Sequence, residues 1–141
     1  MIAKALGGKT ELASQGWGVG VQNYQKILTE PWMDPDLEQF SILSFHEDQV
    51  TQLPEGAVLI AENDFCPYSA YYIGEWLISF QGHPELTKNY VRALLHQREN
   101  ILGQEVLESG IRSLEQQIQP QIIAKWILNF IHNRVNTKQG N

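Results

Sequence analysis

Trp76-Leu77-Ile78-Ser79-Phe80-Gln81-Gly82-His83-Pro84-Glu85 is the pivot of the chain. Strand-like residues precede it and helical stripes follow it. Its first five residues are an apolar run. With residues 70–73 they flank Gly74-Glu75, the pattern of a hairpin with a tight turn. The run delivers the chain to His83, which stands before a proline and is therefore pushed toward extended geometry. Residues two apart on an extended chain face the same side. Glu85 is then placed to accept a hydrogen bond from the Nδ1 proton of His83, which fixes the tautomer and leaves Nε2 free as a base. That is the base-and-orienter half of a nucleophile triad. Gly82 is expected to leave open space for a substrate beside the ring. A plainer reading stands beside this one: Glu85 simply precedes a helix beginning around Leu86, where negative charge is favoured.

Working outward toward the N-terminus, apolar residues at 17, 19 and 21 alternate with period two and predict a strand through Trp17-Gly18-Val19-Gly20-Val21. Pro31 and Pro35 mark a loop. Ser41 to Phe45 and Val58 to Ala61 are short apolar runs, each read as a strand. Ile2 to Leu6 reads as the tail of a helix stopped by Gly7-Gly8.

Toward the C-terminus three amphipathic stripes appear: Leu86, Tyr90, Val91, Leu94 and Leu95; Leu107, Ile111, Leu114 and Ile118; and Ile122, Ile123, Trp126, Ile127, Phe130 and Ile131. Gly103 separates the first two, and Pro120 suits the first turn of the third. All three are read as core faces. His96 and His132 are placed at the surface, and Trp17, Trp32, Trp76 and Trp126 in the core. Residues 1–135 are read as one domain and 136–141 as a polar tail.

The 141 residues carry 43% hydrophobic and 18% charged side chains, enough for a packed core. The net charge of −6, with no Lys/Arg cluster, disfavours nucleic-acid binding. No apolar run approaches the roughly 18 residues of a membrane span. Cys66 is the single cysteine, which rules out an internal disulfide and makes the cytoplasm the default compartment. Gly16, Gly18 and Gly20 lack the strand-turn-helix setting of a dinucleotide fingerprint. His46-Glu47-Asp48 lacks zinc spacing. No cofactor and no metal are therefore expected.

The segment Phe80 to Glu85 resembles the His-Glu motif of class I glutamine amidotransferases. Four further stretches match that family in order: Ile2 to Gly8, Gly16 to Gly20, Phe45-His46-Glu47-Asp48-Gln49-Val50 with Leu53-Pro54, and Phe65-Cys66-Pro67 with Ala70 and Ile73-Gly74. The Gln-Gly-His-Pro-Glu form with a helical tail is most similar to the stand-alone branch related to the GMP synthase glutaminase domain. Plant γ-glutamyl peptidases share it.

The resemblance implies an α/β fold, the incomplete end of a flavodoxin-like domain, although strands followed by helices read literally as α+β. It implies a Cys-His-Glu triad with His83 and Glu85 as catalytic residues, and a substrate pocket lined by His46, Glu47 and Asp48, partly through backbone groups. The substrate would be glutamine or another γ-glutamyl small molecule. The ammonia would pass to a synthase partner. The nucleophile turn of the family would lie before Met1, so the chain is expected to be inactive alone. Cys66, followed by proline, is read as a packing residue. A γ-glutamyl peptidase and a non-catalytic module or remnant stay open as alternatives, as does a homodimer covering an exposed sheet.

Overall fold

The computed structural model describes residues 2–139, with side chains through residue 133. Met1, Gly140 and Asn141 lie outside the described residues, and so does the end of the 136–141 tail. A short helix α1 (Ile2–Ala5) leads into strands β1 (Lys9–Leu12), β2 (Gly18–Lys26), β3 (Gln39–His46), β4 (Asp48–Gln52), β5 (Ala57–Glu62), β6 (Ala70–Ile73) and β7 (Leu77–Phe80). Helices α2 (Lys88–Gln97), α3 (Glu99–Leu102), α4 (Gln104–Ser113) and α5 (Pro120–Gln139) complete the chain. The class is mixed α/β, as the resemblance implies. Every strand pairing among the described residues is antiparallel.

Five strands form one sheet in the order β3-β2-β5-β6-β7, and β1 pairs with β4 in a separate ribbon. The larger sheet curls. Beyond β7, at the far edge, the chain returns to β3: the His83 amide donates to the Leu43 carbonyl at 2.7 Å, an antiparallel bridge. Further along the same edge of β3, the Gln119 amide donates to the Ser41 carbonyl, and the Gln119 side chain accepts from the Ser41 amide.

Two apolar clusters hold this arrangement. One lies between the sheet and α5: Tyr24, Phe40, Ile42 and Ile60 meet Ile123, Trp126 and Phe130. Trp126 stacks edge-on to Phe40 at 5.6 Å, and its Nε1 donates to the Pro35 carbonyl at 2.8 Å, so its one polar atom is satisfied in the interior. The second lies where Val19, Val21 and Leu43 meet Val91, Leu95, Leu102 and Leu114. Helix α4 comes close enough to β2 that a Cβ on Gly20, at φ +77°, would strike Ser113 Oγ and approach the Gly110 carbonyl to 2.8 Å. Only glycine fits that crossing.

Differences from the sequence reading are local. The second stripe predicts a helix through Ile118, but α4 ends at Ser113; Ile118 still packs on the second cluster from the connection beyond. The β1–β4 ribbon gave no alternating signal because most of its residues are exposed on both faces. Trp76, expected in the core, is 52% exposed. It follows directly on the Gly74-Glu75 turn, where the hairpin leaves the core.

Candidate active site

His83 is positioned by backbone bonds on both sides. The Gln81 amide donates to the Ser69 carbonyl at 2.7 Å, and the His83 amide is bridged to β3. Between them Gly82 lies against Ile42 and Tyr24; a Cβ there would come within 2.6 Å of Ile42 Cδ1 and 3.1 Å of the Tyr24 hydroxyl. The expectation that Gly82 opens space for a substrate is therefore wrong. Its missing side chain lets the strand end pack onto the core, which fixes where His83 emerges.

The expected contact between imidazole and carboxylate is present. His83 Nδ1 and Glu85 Oε1 are 2.7 Å apart. The ring side chain is 40% exposed and the Glu85 side chain 65%, so the ring reaches solvent. Burial raises the Glu85 carboxyl, but the hydrogen bond and charge of His83 outweigh it, and the group is held below its ordinary range. An ionised carboxylate at this distance accepts the Nδ1 proton, and Nε2 is the nitrogen left for chemistry. Glu85 does not enter the following helix. That helix starts at Lys88, capped by Thr87, whose hydroxyl accepts from the Tyr90 amide.

Gln81, two residues before His83, lines a cavity of about 660 Å³, and neither His83 nor Glu85 is among its lining residues. His46, Glu47 and Asp48, all singled out from sequence, line it. Two of them are not simply loop residues: His46 ends β3 and Asp48 begins β4. Backbone participation is seen at Asp48, whose carbonyl accepts from Gln81 Nε2 at 3.2 Å and ties the segment to the His83 loop. His46 is buried, at 9% exposure, beside Phe65 and close against Gly18. Burial lowers its pKa to about 4; the nearby His83 acts in the same direction, and Asp48 offsets this only in part. The ring is neutral at physiological pH.

Sequence reasoning missed the rest of the wall. Thr10 and Leu12 arrive through the β1–β4 register, which sets Thr10 opposite Val50 and Leu12 opposite Asp48. Trp17, Phe45 and Leu94 form its apolar side, with Arg98 from the end of α2. Gln81 stood in the decisive segment and was findable there. Nothing in the local pattern marked Arg98.

Cys66 is 1% exposed, and burial pushes its thiol up to about 11. Its amide donates to the Asn63 side chain at 2.6 Å. A buried, protonated thiol is not a nucleophile, which accords with its reading as a packing residue. Among the described residues, no group of three or more His, Cys, Asp or Glu could hold a metal ion.

No protein-family model matches the chain. The chain is 28% identical over 120 residues to γ-glutamyl peptidase 2 of Arabidopsis thaliana, covering 82% of this chain and 48% of that protein. It is 30% identical over 138 residues to the glutamine-hydrolyzing GMP synthase of Shewanella sp. strain W3-18-1, covering 83% and 26%. A glutamine amidotransferase structure from Thermotoga maritima superposes with a TM-score of 0.65 at 17% identity, covering 95% of this chain and 57% of that one. The chain has a class I glutamine amidotransferase-like fold. It spans less than half the length of both curated relatives. The amidotransferase-like domain has no helix, among the described residues, long and apolar enough to cross a membrane.

Proposed function

We propose that this domain supplies the base, the orienting carboxylate and part of the substrate cavity for hydrolysis of a γ-glutamyl amide, with glutamine as the principal substrate. The observation that carries this is the 2.7 Å contact between His83 Nδ1 and Glu85 Oε1, on a ring that stays solvent-accessible. The relatives' names support the substrate class. In the reaction, His83 Nε2 takes the proton of a cysteine thiol. The thiolate adds to the amide carbon, and the C–N bond breaks as His83 returns the proton to the departing ammonia. Water, deprotonated by His83, then cleaves the γ-glutamyl thioester. Glu85 holds the tautomer and stabilises the imidazolium at each turn. Cys66 does not serve as the nucleophile, because it is buried and protonated; the sulfur comes from a segment outside these residues. The ammonia passes to a synthase partner.

A second reading, a γ-glutamyl peptidase, shares every step except the leaving group, and the plant relative supports it.

The test is ammonia release from glutamine. The 141 residues alone release none. Combined with a nucleophile-bearing amidotransferase half, they release ammonia, and His83→Ala abolishes it. Ammonia release by the chain alone, lost on His83→Ala, contradicts the proposal.

A further inference from the structure

The cavity lined by Gln81 contains unmet polar demand. The Thr10 hydroxyl oxygen and both ring nitrogens of His46 are buried on this wall and make no hydrogen bond of ordinary geometry, although the Asp48 backbone lies near enough to the His46 ring to favour its charged form. Buried polar groups are almost always paired. Unpaired atoms on two side chains of one wall leave hydrogen-bonding capacity there that a polar ligand or water can meet. The volume, about 660 Å³, falls among pockets that enclose drug-sized ligands, roughly 300–1,000 Å³.

The charges on the wall are unequal. Glu47 and Asp48 are the carboxylates, and Arg98 is the one cation among the lining residues. Arg98 has no ion pair or side-chain hydrogen bond with any described residue, even though the chain as a whole is acidic. Its guanidinium is a planar fork of donors matched to a carboxylate. Apolar Trp17 and Leu94 flank the same space, and Arg98 itself is exposed, so its guanidinium is accessible to a ligand from solvent.

We infer that Arg98 is the carboxylate anchor of this cavity, selecting γ-glutamyl compounds that carry a free carboxylate, while Thr10 and His46 offer the hydrogen bonds that complete the fit. The inference rests on the reading of the cavity as the γ-glutamyl site. Two carboxylates qualify: that of the γ-glutamyl group itself and that of a leaving amino acid such as glycine.

Titration of the intact chain with L-glutamine, γ-glutamylglycine and γ-glutamylglycinamide, followed by NMR at the Trp17 indole and the His46 ring, tests this. γ-Glutamylglycine is expected to shift both signals saturably. Arg98→Gln is expected to weaken it about tenfold, whereas Arg92→Gln, within the preceding helix α2 but outside the cavity wall, leaves the affinity unchanged. If the glycinamide binds the native chain as weakly as γ-glutamylglycine binds Arg98→Gln, the anchored group is the leaving-group carboxylate. If the glycinamide binds normally and Arg98→Gln weakens all three ligands, it is the γ-glutamyl carboxylate. Either pattern supports the anchor. Unchanged affinities in Arg98→Gln, with both signals still moving, overturn the inference and leave the cavity reading standing. Failure of all three ligands to move either signal in the folded chain also overturns the inference, whereas the proposed function stands or falls on ammonia release with the nucleophile-bearing half.

Discussion

Glu85 keeps its bond to an imidazole although 65% of its side chain is exposed. Its carboxyl is held below the ordinary range, so it stays ionised to lower pH than an unpaired carboxyl does. Its contribution to stability is present above the unfolded pKa and is lost only as pH falls through the depressed folded value. In the completed enzyme, Glu85→Gln should lower kcat by roughly 100-fold, with the loss in kcat rather than KM because the residue orients the base and does not contact substrate. His46 is a base whose linkage has the same sign, through burial of its neutral form rather than pairing of a charged one. Its pKa falls from 6.5 to about 4 on folding, so the unfolded chain binds more protons between those values and stability declines as pH drops through that window. The difference is on the order of 3 kcal/mol. Urea melts at neutral pH and near pH 4 should show His46→Gln losing much less stability on acidification than the native chain; parallel losses would contradict the assignment.

At the scale of elements, the strand leading into His83 was legible because apolar residues and a hairpin turn frame it, and the extended geometry before Pro84 follows from proline itself. Gly82 was misread because a glycine beside a catalytic candidate looks like room for a ligand, whereas the curl of the sheet sets Ile42 and Tyr24 against it. That distinction depends on a contact between residues 40 positions apart, which local pattern does not encode. Gly82→Ala should therefore destabilise the fold by about 1–3 kcal/mol through overpacking, read as a lower urea midpoint with an unchanged slope. A neutral substitution would show that the loop has slack. The ribbon β1–β4 was invisible for a different reason. Its residues are mostly exposed, so no period-two pattern is required of them, yet its register is what carries Thr10 and Leu12 to the cavity.

Across the whole molecule, the three helical stripes were largely readable as core faces because their periodicity reports burial directly, but Tyr90 and Ile131, read into the first and third, are exposed. The partners of the stripes were not readable. That α5 packs against the strands now known to curl, with Trp126 against Phe40, follows only from tertiary structure. Trp126 is 1% exposed. Trp126→Ala should cost about 3–5 kcal/mol and weaken the α5 attachment, measurable by thermal or urea unfolding together with faster amide exchange in β3. A loss confined to the α5 signals, with β3 protected as before, would show that the helix only decorates the sheet. The candidate site depends on the same closure, since the chain reaches His83 by returning from β7 to β3.

The most direct test is which ring nitrogen of His83 carries the proton. Long-range ¹H–¹⁵N NMR of the intact chain in mildly alkaline buffer reads this without substrate or a nucleophile. A proton on Nδ1 in the native chain, redistributed toward Nε2 in Glu85→Ala, is the predicted result. A proton on Nε2 in the native chain, indifferent to Glu85→Ala, would contradict the role given to this pair.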